Sequence, residues 1–147
     1  MEKEIDLGHW VTKEEIPERF FGFIYLITNK QNGKKYVGKK QAKTIKKLPP
    51  LKGRKNKRHK EVDTNWKSYT GSCKQLNEDI EEIGKENFTF EIVRFCENKS
   101  QLAYVETYYQ MTEHVILRED FYNGEVRVRL GGNCKIEFVD DIKPLPN

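Results

Sequence analysis

The chain reads as a small α+β domain, on three observations. Two short apolar runs flank the turn signal Asn32-Gly33. Leu76, Ile80 and Ile83 recur at helical spacing, and Phe88, Phe90 and Ile92 alternate with Thr89, Glu91 and Val93. A length of 147 residues suits one domain with a modest core.

Residues 1–21 read as an N-terminal arm. Thr12 and Glu15 have capping-box spacing, but Pro17 limits any helix there to about one turn. Phe20-Phe21 end the arm and are expected to pack onto the sheet. The domain proper, 22–130, begins with a hairpin over about 22–40. If Ile24, Leu26 and Val37 face the core, strand alternation places Tyr25, Ile27, Tyr36, Gly38 and Lys40 on the other face and turns Lys39 away. The simplest register sets Tyr25 opposite Gly38 and diagonal to Tyr36. Gly38 lacks a side chain, which predicts open space beside the phenol rings.

An insertion follows over 41–64. Pro49-Pro50 and Gly53 exclude a continuous helix there, leaving an extended hairpin or a mobile loop. Ser72 is placed to cap a helix through Leu76, Ile80 and Ile83 that ends near Gly84. A third strand covers Phe88 to Phe95, with Arg94 a candidate for the Phe88 face. Ser100 is placed to cap a second helix over about 101–112. Its apolar stripe is Leu102, Val105 and Tyr109, with Glu106 on the edge of that stripe. Phe121 to Gly124 reads as a turn. Val126, Val128 and Leu130 alternate with Arg127 and Arg129, which suggests one more short strand. Gly131-Gly132 breaks it, residues 131–147 form a C-terminal tail, and its Pro-containing part after Asp140 is expected to be loose.

Composition sets bounds on function. The chain is 36% hydrophobic and 34% charged, and no run approaches the roughly 18–20 apolar residues of a membrane span, so no membrane partner is expected. Met1-Glu2-Lys3-Glu4 lacks the basic-then-apolar order of a signal peptide. Cys73, Cys96 and Cys134 form no close pair, which argues for a reduced, cytoplasmic setting and against structural zinc. The formal net charge of +4 conceals segregation: residues 34–60 hold 13 Lys/Arg and no Asp/Glu, whereas 71–125 hold 5 against 12. A block of one sign creates a local field that suits a polyanion, most simply nucleic acid.

Phe23-Ile24-Tyr25 and Tyr36-Val37-Gly38 resemble the two halves of the motif that names the GIY-YIG nuclease family, with Phe where that family usually has Gly. The chain is most similar to a phage-type, homing-endonuclease-like subgroup. Three blocks in order carry the likeness: Tyr36-Val37-Gly38-Lys39-Lys40, the basic run Leu48 to Lys55, and Asn65-Trp66-Lys67-Ser68-Tyr69-Thr70-Gly71-Ser72 with its continuation to Leu76. Over about residues 22–125 the resemblance implies a three-stranded antiparallel sheet flanked by helices, with a basic insertion after the first hairpin. It implies an endonuclease that hydrolyses double-stranded DNA with Mg2+ or Mn2+. It also suggests a phage-encoded protein acting in the bacterial cytoplasm, in homing or in cutting host or competitor DNA. Monomer and dimer both remain open.

The resemblance also implies roles. Tyr25 falls where the family keeps a tyrosine near the attacking water, as general base or water positioner. An unperturbed phenol has a pKa of about 10, so a base role needs positive charge nearby, which Lys40 on the same face is expected to supply. Tyr36 maps to the second family tyrosine, and Asn123 to a supporting asparagine. Tyr69 falls near a position that carries His or Tyr, with His59 as the alternative. Glu106, a lone acid among Tyr104, Tyr108 and Tyr109, maps to the glutamate that holds one divalent ion. A single carboxylate leaves most coordination to water and phosphate oxygens, which suits Mg2+ or Mn2+.

The family's phosphate-contacting arginine has no direct counterpart. A gapless count reaches Lys46, strand parity favours Lys40, and Arg54 and Arg58 remain open. Lys39, Lys43, Lys46, Lys52, Arg54, Lys55, Lys57, Arg58 and Lys60 are expected to meet DNA phosphates. Trp66 is expected either to stack on bases or to pack beneath the insertion. A non-catalytic nucleic-acid-binding module on the same scaffold is the alternative, and metal-dependent cleavage separates the two.

Overall fold

The Asn32-Gly33 signal and its flanking alternation produce the expected hairpin: β2 (Gly22–Asn29) pairs antiparallel with β3 (Lys35–Gln41), and Tyr25 lies opposite Gly38. The structure is a computed structural model that describes residues 5–131 and 142–146. The central sheet has the order β1-β6-β2-β3, where β1 is Val11–Thr12 and β6 is Phe88–Cys96. The expected three-stranded antiparallel core is therefore present, but the sheet has four strands. β1 runs parallel to β6, with Val11 opposite Glu91. Thr12 caps no helix; its hydroxyl donates to the Ile92 carbonyl at 2.9 Å and accepts from Glu14 N–H at 3.1 Å.

One register shift reshapes the third strand. Pairing passes from Ile24–Arg94 to Tyr25–Ile92, so Val93 is the extra residue of a β-bulge. Phe88, Phe90 and Ile92 pack with one core, Val93 and Cys96 with the other, and Phe95 returns to the first. A strict period of two could not foresee that switch.

Both faces of the sheet are covered. On one face Phe23, Tyr25 and Ile27 pack with Trp10, Trp66 and Leu76. On the other, Ile24, Leu26 and Val37 pack with Leu102, Val105 and Tyr109 of α2 (Lys99–Thr112). Helix α1 (Lys74–Ile83) stops at Gly84 as expected, but Cys73 holds the N-cap position and Ser72 does not cap it. Asn98 caps α2 in place of Ser100, its side chain accepting from Gln101 N–H at 2.9 Å. Short 3-10 turns cover Trp66–Ser68, Lys85–Asn87 and Val115–Leu117.

The insertion forms a two-stranded ribbon, β4 (Lys43–Leu48) with β5 (Arg58–Asp63), closed by a turn in which Arg54 N–H donates to the Leu51 carbonyl at 2.9 Å. The strand expected over 126–130 does not form; that segment is irregular. Most of the C-terminal tail, with Cys134, lies outside the described residues. The part described is not loose: Ile142 joins the α2 core, and the Tyr109 hydroxyl donates to the Lys143 carbonyl at 2.5 Å.

Candidate active site

The site forms where β3 passes Gly38. Tyr25 reaches across from β2, and its phenol ends over that glycine. A Cβ at position 38 would stand 2.6 Å from Tyr25 Cζ and nearer still to its hydroxyl. Gly38 is therefore required by a close approach, and the space it leaves is filled by the phenol. The Tyr36 ring lies 6.1 Å from that of Tyr25. Above both, Gly71 adopts φ +87° just before α1 and lays backbone within 3.3–3.4 Å (measured from an added Cβ) of Tyr36 Cε1 and the Tyr25 hydroxyl. The Tyr36 hydroxyl and Ser72 Oγ are 3.3 Å apart. Tyr69 completes the group. Its ring is 6.1 Å from that of Tyr25, and Lys40 Nζ sits 4.2 Å above the Tyr69 ring centroid.

The free edge of β3 brings in the remaining residues. An edge strand presents unpaired amides that must be satisfied or covered. Here Lys35 N–H donates to the Asp120 carbonyl at 2.9 Å, and Val37 N–H to Asn123 Oδ1 at 3.0 Å. The Lys39 amide lies beside the Glu106 carboxylate and favours its charged form. Asn123 Nδ2 returns a bond to the Val37 carbonyl at 2.8 Å, joined by Gln110 Nε2 at 3.4 Å. The segment read from sequence as a turn is thus a pseudo-strand along β3. Glu106, although it rides on the helix of the opposite face, arrives one residue from Gly38.

Electrostatics follows from burial. Burial pushes the Tyr25 hydroxyl well above its usual pKa of 10, and the neighbouring Tyr36, Tyr69 and Glu106 reinforce this. The expectation that Lys40 would lower it fails, because the Lys40 ammonium sits over Tyr69 and burial weakens its own charged form. The Tyr25 phenol is therefore protonated and acts as a hydrogen-bonding group. Burial also raises Tyr36, and the bond with Ser72 opposes the rise. Burial raises the Glu106 carboxyl as well, against the lowering effects of the Lys39 charge and amide.

Lys39 Nζ, expected from sequence to meet DNA phosphate, stands 4.0 Å from Glu106 Oε1. Among the described residues no group of three or more His, Cys, Asp or Glu gathers as a metal cage. Glu106 is instead a single carboxylate, 12% exposed, whose desolvation one distant ammonium offsets only in part. A hydrated divalent cation fits such a donor, since Mg2+ keeps several waters and takes one or two carboxylates with phosphate oxygens. Beside it opens a cleft of about 410 Å³ lined by Tyr36, Ser72, Gln110 and Asn123.

Tyr25, Tyr36, Lys40, Tyr69, Glu106 and Asn123 thus gather along β3 around Gly38. Lys52, Arg54, Lys55, Lys57, Arg58 and Lys60 are all exposed in the ribbon, as is His59, opposite Lys47 and outside the tyrosine group. Lys43 is ion-paired with Asp63 at the ribbon's base. Lys46 stands opposite Lys60 in a strand, so a gapless count to a helix position misplaces it. The one cation of α1, Lys74, lies 3.9 Å from Glu78. Trp66 is 4% exposed within the aromatic core, and its carbonyl accepts from Trp10 Nε1 at 2.5 Å.

Sequence reading missed Gly71, Ser72 and Gln110. Gln110 follows Glu106 by one helical turn, a spacing that signals a shared edge. Nothing local signals Ser72.

Residues 8–126 match the family model described as "Putative endonuclease segE, GIY-YIG domain". No curated protein and no solved structure matches the chain.

Proposed function

The chain belongs to the GIY-YIG nuclease family, and from that premise we propose that it is a divalent-metal-dependent endonuclease of double-stranded DNA. The observation that carries the reading is the meeting at Gly38 of three tyrosines with a buried carboxylate beside the adjacent amide. Glu106 holds Mg2+ or Mn2+. When bound, such an ion supplies positive charge to the scissile phosphate and its leaving oxygen.

The chain's own groups do the positioning. Tyr25 and Tyr36 orient the attacking water through protonated hydroxyls, Tyr36 with Ser72 as its partner. Lys40, held over Tyr69, provides the cation for the phosphate in place of the family's arginine. Asn123 fixes the backbone of Val37, next to Gly38, so that β3 keeps its register beside the phenols. The exposed ribbon grips the duplex by its phosphates, which gives affinity without base readout. A phage origin, with homing or the cutting of host or competitor DNA as its purpose, belongs to the same proposal and rests on the motif blocks.

The test is incubation of purified protein with supercoiled and linear DNA, with Mg2+ or with chelator, followed by sequencing of the ends. Metal-dependent nicking or breakage is expected. Salt-sensitive binding with no cleavage under any metal would replace the endonuclease by the binding-module reading.

A further inference from the structure

A groove of about 800 Å³ lies between the start of α2 and the irregular segment 126–131. Among the described residues four cations line it, Lys39, Lys99, Arg127 and Arg129, and no Asp or Glu does. Arg127 pairs with Glu125 of its own segment at 3.1 Å and Lys39 with Glu106 at 4.0 Å, whereas Lys99 and Arg129 have no ion-pair partner among the described residues. The same wall carries Val128 and Leu130, exposed at 41% and 46%. Lys39 connects the groove to the site, because its ammonium faces Glu106. No ribbon residue lines the groove.

We propose that this groove is a second DNA-backbone site, seating the strand that flanks the scissile phosphate, separate from the ribbon. The proposal rests on the endonuclease reading above. Its chemistry is that of a sugar–phosphate chain: the ammonium and guanidinium groups meet phosphates, and the aliphatic Val128 and Leu130 meet deoxyribose. A small free anion would use the cations and leave the aliphatic wall without purpose. Lys39 serves both places, placing a cation between the carboxylate and the groove. A duplex held by ribbon and groove together is fixed at two points, which orients one phosphate at Gly38 where the ribbon alone would let it slide.

The test measures affinity of the full chain for a short labelled duplex, in chelator, across a salt series. The variant is Lys99→Gln/Arg127→Gln/Arg129→Gln, at three exposed positions outside the tyrosine–glutamate site. Each lost phosphate contact lowers the slope of log K against log salt by about one unit, so a fall of about two to three units is expected. Lys30→Gln/Lys85→Gln, at the far end of the sheet, should change it by less than about half a unit. If the triple variant is poorly folded, Arg129→Gln alone carries the same test at about one unit. A wild-type slope and affinity in the folded variant overturn the groove while the endonuclease reading stands. A wild-type protein that binds DNA but never cuts it overturns the endonuclease reading and leaves the groove to be judged by the slope. A wild-type protein without salt-dependent DNA affinity overturns both.

Discussion

The sheet body and the basic ribbon hold together by different physics. In the body both sheet faces are filled, by an aromatic core on one side and an aliphatic core under α2 on the other. Close packing of that kind leaves the tyrosines and Glu106 little freedom. The ribbon buries almost nothing. Its strands rely on their ladder and on anchors at the base, where Thr64 Oγ1 donates to the Gln41 carbonyl at 2.7 Å. Two-stranded hairpins are marginal alone. Fixed geometry suits chemistry, whereas dense, exposed charge suits a grip on a polyanion.

Four outcomes break or sharpen that contrast. The largest concerns Glu106. Glu106→Ala is expected to bring cleavage below detection while DNA affinity in chelator stays near wild type, since affinity belongs to the basic surfaces. Near-normal cleavage by the folded variant would remove Glu106 from the site. Next comes the ribbon. Changing Lys52, Arg54, Lys55, Lys57, Arg58 and Lys60 together to Gln should weaken binding by about 10²-fold or more and flatten the salt slope by several units. Cleavage at saturating DNA should fall far less. Unchanged affinity and slope would make the ribbon a solvated appendage and dissolve the contrast.

A smaller effect is expected for the tyrosines. Tyr25→Phe keeps the ring and its packing and removes only the hydroxyl, so a loss of roughly 10²-fold in kcat with little change in Tm is expected. Tyr36→Phe should lose less. Because the Tyr25 pKa lies well above 10, the pH–rate profile should show no rise from phenol ionisation through neutral pH. Its acid limb should follow Glu106: activity is present above the raised carboxyl pKa and is lost as pH falls through it. Full activity in Tyr25→Phe would return the ring to a packing role alone.

The smallest effect is on stability. The Glu106 pKa is raised in the folded protein, so between its ordinary and raised values folding takes up a proton, and stability falls as pH increases through that window. Glu106→Gln removes the cost of a buried charge. Its Tm at pH 7 should exceed that of wild type by a few degrees, and the gain should shrink once pH drops below the raised value. Thermal melts at several pH values decide it; a lower Tm at pH 7 would show that the Lys39 pair outweighs desolvation.

The hairpin was legible because its signals are local. Asn32-Gly33 sets the turn, and alternation then dictates that Tyr25 meets Gly38. Helix α1 ends at Gly84 for an equally local reason. The convergence of Tyr36, Glu106 and Asn123 was legible only through the family motif, since no spacing within the chain brings residues so far apart to one strand edge. The sequence cannot distinguish Ser72 as a cap from Ser72 as a partner of Tyr36, because both uses need only a hydroxyl before a helix.

Local order and charge were determined by the sequence itself: where the hairpin turns, which residues alternate across it, and that thirteen cations stand together over 34–60. Tertiary structure alone decided the environment of each group. Trp10, its ring 5.1 Å from that of Tyr25, shares one core with Tyr25, Trp66 and Leu76, residues from distant places in the chain, and burial reverses the expected direction of the Tyr25 pKa. The bulge at Val93 arises from pairing with β2, and β1 adds a parallel strand that the arm's composition did not announce. Desolvation and strand pairing are sums over partners far apart in the chain, so they come into being only when the chain has closed on itself.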